Sequence, residues 1–114
     1  MSFDYAAQKA ATEALWAEMS AQHDLPHQGQ LDLHFRAGDG ADATEFMGWL
    51  EDAGYDVEHY EADPEDEDDP EEAIEVQTGV MPLTPETIHA EERRCTEAAL
   101  RFGFTPDGWG FIGA

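Results

Sequence analysis

The sequence predicts an α+β fold of the ferredoxin-like, split βαβ type: a four-stranded antiparallel sheet with two helices on one face, and an additional N-terminal helix. Three observations predict it. Beyond residue 30 the apolar patterning runs strand, helix, strand, strand, helix, strand. Each strand–helix pair closes on a glycine, Gly54 and then Gly103. The last strand segment carries Pro106, Gly108 and Gly110, which suit an edge position and not a central one. At 114 residues the chain fits one domain with one modest core. Within it, residues 1–29 read as an N-terminal amphipathic helix and connector, and residues 30–114 as the sandwich.

Taken in order, Phe3 to Gln22 is rich in Ala, Gln and Glu, with Tyr5, Ala11, Leu15, Trp16 and Met19 at helical spacing. That narrow stripe predicts a helix that leans on the domain. Pro26 and Gly29 break it. Leu31 to Arg36 alternates apolar and polar residues, the signature of a half-buried strand. Asp42 and Glu45 have capping-box spacing ahead of Phe46, Trp49, Leu50 and Ala53, a helix that Gly54 ends. Tyr55 to Glu61 alternates again, with Val57 and His59 on the side of Tyr55. Ile74, Val76, Thr78 and Val80 form the inward row of a third strand. Thr84, Pro85 and Glu86 supply a hydroxyl cap, a proline at the first helical position and an acid at the positive helix end. Ile88, Cys95, Ala98, Ala99 and Phe102 are the inward stripe of that helix, and Phe104 to Ile112 is the last strand.

Charge is the outlying property. Asp and Glu number 27 against five Lys and Arg, a formal net charge of −22. A field of that sign repels nucleic acid and anionic membrane and attracts basic proteins and cations. An acid-biased proteome produces the same excess, so both origins stand. Nine of the acids, Glu61, Asp63, Glu65, Asp66, Glu67, Asp68, Asp69, Glu71 and Glu72, fall in one run with Pro64 and Pro70. It reads as a loop between strands, either simply solvated or acting as an electrostatic lure for an Arg- or Lys-rich segment. Those nine residues are the candidate partner-binding set. Of the basic residues, Arg93, Arg94 and Arg101 share the last helix, where Glu97 lies one turn from both Arg93 and Arg101.

If the helices cover the face of Leu31, Leu33, Phe35, Val57, Ile74 and Val76, the open face carries Asp32, His34, Arg36, Glu58, Tyr60, Glu75 and Gln77. RNA-binding sheets of this type stack bases on aromatics within a basic surround. Only Tyr60 is aromatic on this face, so direct nucleic-acid binding through it is not expected. The sequence contains no nucleophile elbow, phosphate-binding glycine loop or zinc-protease helix pattern, so no enzymatic activity, metal or cofactor is expected. The alternative is a metal-dependent small-molecule binder or enzyme in which His34 and His59 approach across strands beside Glu58. A further alternative is an acidic nucleic-acid mimic with another basic partner. The lone Cys95 reads as a small core residue and implies a reducing compartment. Neither a secretory start nor a run of 18 apolar residues is present, and the cytoplasm is the expected location.

In Asp107-Gly108-Trp109-Gly110, two glycines let the backbone bend tightly around a tryptophan, which reads as a core residue at a strand bend. This tetrapeptide follows Phe102-Gly103-Phe104. With Val80-Met81-Pro82, the Leu31 to Phe35 strand and the Ala53 to Val57 turn, it resembles the RraB family, regulators of ribonuclease E activity. The resemblance extends over most of the segment from Leu31 to the end, with Met81, Pro82, Asp107, Gly108, Trp109 and Gly110 as its motif residues. It implies a ferredoxin-like sandwich with an extra N-terminal helix, no catalysis, and inhibition through the basic, noncatalytic scaffold of ribonuclease E. The chain departs from that pattern at Pro106, where the family usually has Tyr, and at Glu91 and Glu92, where it tends to have an aliphatic residue.

Overall fold

A computed structural model describes residues 3–38, 40–60 and 72–113. Its elements are α1 (Tyr5–Gln22), β1 (Gln28–Ala37), α2 (Ala43–Asp52), β2 (Asp56–Tyr60), β3 (Ala73–Pro82), α3 (Pro85–Arg101) and β4 (Phe104–Gly113). The strands form one antiparallel sheet in the order β2-β3-β1-β4. That is the order of the split βαβ sandwich, with β4 at an edge as its proline and glycines require. No helix among the described residues is long and apolar enough to cross a membrane.

The caps act where the local sequence places them. Asp42 accepts from the Glu45 amide at 3.1 Å to open α2. At α3, Thr84 accepts from the Thr87 amide at 3.2 Å, and the Thr87 hydroxyl accepts from the Thr84 amide at 3.0 Å, a reciprocal box next to Pro85. Gly54 and Gly103 end the two helices with φ of +96° and +84°. At Gly103 the requirement is also steric: the connection from β1 to α2 crosses here, with the Gly38 amide donating to the Gly103 carbonyl at 2.8 Å.

Alternation on β1 buries Leu31, Leu33 and Phe35 against Ile74 and Val76 of β3. Helices α2 and α3 close over them with Phe46, Leu50, Ile88, Cys95, Ala98 and Ala99. Phe46 is the hub, with Phe104, Phe35 and Phe102 centred 5.1, 5.4 and 6.2 Å away. Cys95 is wholly buried in this core, and burial pushes its thiol up to about 12. It is therefore an inert packing residue.

Three expectations are corrected. Strand β1 begins at Gln28, because Gly29 and Gln30, though weak strand formers, pair with Met81 and Val80. The inward row of β3 ends at Thr78: Val80 is 59% exposed, while Met81 packs against the core. The cause is a register shift between Gln30 and Asp32, where the Leu31 amide bonds the Thr78 hydroxyl at 3.0 Å, and one extra residue reverses the phase of the strand. On α1, Ala11 and Leu15 are exposed, and the one buried residue is Thr12.

Candidate partner-binding surface

All three helices lie on the same side of the sheet, and its other side carries three cross-strand rows. In register, Asp56, Gln77 and Asp32 form the first row, Glu58, Glu75 and His34 the second, and Tyr60, Ala73 and Arg36 the third. The open face therefore has the residues expected for it, with Asp56 and Asp107 added. Gln77 donates to Asp32 at 3.0 Å, and Arg36 pairs with Asp107 at 3.0 Å. Glu58 and Glu75 sit directly opposite each other, a repulsive arrangement that the Tyr60 hydroxyl bridges with bonds of 2.5 and 3.1 Å. Sharing its one proton between two carboxylates raises the Tyr60 phenol above its ordinary value, so the ring is a neutral donor. Asp32, Asp56, Val57, Glu58, Glu75 and Gln77 line a depression of about 510 Å³ at the β2 end of this face.

The histidine pair does not assemble. His34 on β1 faces the open side, 3.7 Å from Glu75. His59 on β2 lies opposite core residue Ile74, on the helix side, and bonds Glu72 at 2.8 Å. Strand β3 and the thickness of the sheet separate them. Among the described residues no group of three or more His, Cys, Asp or Glu is placed to hold a metal. Of the nine acids in the candidate partner-binding run, Glu72 is described; Glu61 to Glu71 lie outside the described residues.

The Asp107 to Gly110 motif is split between the two faces. Gly108, with φ +111°, lies at a register shift between β1 and β4. The bend sends Asp107 to the open side as the partner of Arg36, and turns Trp109 to the helix side, where it packs on the core beside Phe111. The tryptophan is structural. Met81 is half-buried against the core, and Pro82 is exposed.

On α3, two acids and two arginines occupy places that periodicity does not signal. Glu91 accepts from the Tyr55 hydroxyl, and Glu92 is buried, accepting from Thr12 of α1. Arg93 pairs with Glu97 at 3.1 Å, whereas Arg101 takes aromatic neighbours instead. Arg94 and Arg101 both lie over Trp49, at 5.8 and 5.9 Å, and also over Tyr55 and Phe102. The positive charge of α3 is thus spent largely on aromatic rings of its own fold.

Burial raises the Glu92 carboxyl above its ordinary value, outweighing the hydrogen bond from Thr12. A carboxyl raised on folding contributes most below its unfolded pKa, and that contribution is lost as pH rises through the folded value. Glu92→Gln keeps the shape without the charge. It is expected to stabilise the protein by about 1 kcal/mol near pH 8, with the gain shrinking toward zero near pH 4. Urea unfolding at both pH values checks this; a difference that does not change with pH would contradict it.

The fold and this surface define the class: a small α+β sandwich with one sheet face under helices and the other open and lined by carboxylates. The chain belongs to the RraB family, described as regulator of ribonuclease activity B, whose family model matches residues 8–111. The match takes in most of α1 as well as the segment from Leu31 onward that carries the resemblance in sequence. No curated protein matches the chain. Members of the family are regulatory proteins and not catalysts.

Proposed function

We propose that this protein binds and inhibits ribonuclease E through the enzyme's basic scaffold region, modulating RNA degradation without catalysing a reaction. The observation that carries this reading beyond the family is the open sheet face. Its carboxylates, Asp32, Asp56, Glu58 and Glu75, surround one depression, while its one arginine is engaged by Asp107. A surface of this sign favours a Lys- or Arg-rich segment and disfavours RNA. In this reading the acidic run from Glu61 to Glu72 adds long-range attraction, and the complex forms in the cytoplasm.

Titration of a labelled Arg-rich scaffold fragment of the host's ribonuclease E, followed by fluorescence anisotropy, tests the proposal. Binding is expected at about 50 mM salt, where the Debye length is roughly 14 Å, and should weaken about tenfold by roughly 200 mM. Absence of binding at the lower salt would overturn it.

A further inference from the structure

The sheet has two edges, and they are built differently. Edge strand β4 is blunted by Pro106, by the positive φ of Gly108 and by a register shift against β1. At its far end Phe111 lies beside Trp16 of α1. Strand β2 has none of these devices. Asp56 to Tyr60 contains neither proline nor glycine, and it pairs with β3 in unbroken register from Asp56↔Gln77 to Tyr60↔Ala73. Among the described residues nothing pairs with its outer edge. Alternate residues of such a strand direct their N–H and C=O groups outward, ready for another strand.

The side chains of β2 set what that strand must be. Asp56, Glu58 and Tyr60 stand on the open side, the two carboxylates forming the wall of the 510 Å³ depression nearest the edge. Val57, on the other side, is half-buried against the core. A second copy of β2 added here would bring like charges together, which opposes self-pairing. A basic chain meets the opposite situation.

We propose that the outer edge of β2 captures a basic segment of its partner as a fifth strand, with alternate Arg or Lys side chains reaching the carboxylates of Asp56 and Glu58. The inference rests on the reading of the protein as a binder of basic segments. Main-chain hydrogen bonds then supply affinity for a segment with no structure of its own, and the two faces of β2 supply its pattern. Basic residues lie at every second position, and the residues between them are apolar, extending the core margin beside Val57.

The test leaves the protein unchanged and varies the ligand. A peptide of about nine residues alternating Arg with Val is compared with an isomer holding the arginines in one block, and with two forms N-methylated on alternate amides. The alternating peptide is expected to bind about tenfold tighter than the blocked isomer. Methylation of one set of amides should weaken binding at least about tenfold, and of the other set less than about twofold. Hydrogen exchange at residues 56–60 should slow on binding.

Equal binding by both methylated forms, or by the blocked isomer, would overturn strand addition and leave binding of basic segments intact. The same split follows if the scaffold fragment binds and none of the peptides does. Failure of both at about 50 mM salt would overturn both readings. Protection of residues 56–60 that rises with protein concentration alone would assign the edge to a second copy, and would also overturn the proposal.

Discussion

Replacing Phe46 by alanine is expected to lower the free energy of unfolding by about 3–5 kcal/mol, against a total of roughly 5–15 for a domain of this kind. The ring is fully buried and touches rings from β1, the α3–β4 turn and β4: Phe35 edge-on, Phe102 stacked and Phe104 tilted. Its removal opens a cavity that cannot close, because the surrounding backbone belongs to a hydrogen-bonded sheet and two capped helices. Thermal unfolding followed by circular dichroism should show the midpoint falling by roughly 12 °C or more. A loss below about 1.5 kcal/mol would mean that the site relaxes and that Phe46 is not the hub.

Gly103→Ala is the second large effect, expected at roughly 2–4 kcal/mol. Two costs combine. The residue sits at φ +84°, and an added Cβ would lie 2.9 Å from Ala41 Cα and 3.2 Å from Ala41 N, both backbone atoms. Those atoms are held in turn by the Gly38–Gly103 bond and by the Asp42 amide donating to the Phe102 carbonyl at 2.8 Å. Gly54→Ala is the control, since φ there is +96° with nothing within 4 Å of a Cβ. It should cost about 1 kcal/mol, the conformational part alone. Urea unfolding of the two variants separates the terms; equal costs would show that the contact with Ala41 is unimportant.

Most of the fold was legible because its signals are local. Alternation in Leu31 to Phe35, the acid ahead of Phe46 and the hydroxyl ahead of Pro85 each act within one strand or one helical turn. Together with Gly54, Gly103 and the interrupted last strand they gave the element order, and right-handed connection rules then leave few arrangements. Val80 failed because a register shift is set by the partner strand, and alternation in β3 alone cannot reveal it.

The surface was legible in outline and opaque in its pairings. Period-two reading put Asp32, Glu58, Glu75 and Gln77 on one face correctly, since that depends only on alternation and on which face the helices take. It also placed His59 on the side of Val57, where the structure has it, and the fold it predicts itself sets β3 between β1 and β2, so the approach of His34 to His59 conflicts with both. Glu92 faces inward because α1 crosses there, and Arg101 leaves Glu97 for Trp49 because α2 packs alongside. Which helix neighbours which is a property of the assembled layers, and charge spacing within one helix does not carry it.

The contact between α1 and α3 has a consequence for how the molecule comes apart. Of the fourteen buried apolar residues among those described, none belongs to α1. Its hold includes the Thr12–Glu92 bond, a Gln8–Thr96 bond of 3.2 Å, the Arg93 guanidinium 5.0 Å over the Tyr5 ring, and Trp16 packed on the core margin beside Phe111, with Gln8 Oε1 and His89 Nε2 buried and unbonded among the described residues. Such a seam releases at lower free energy than the sheet it rests on. The expected order of unfolding therefore has two tiers, the leading helix detaching first and the sandwich melting after it as one unit.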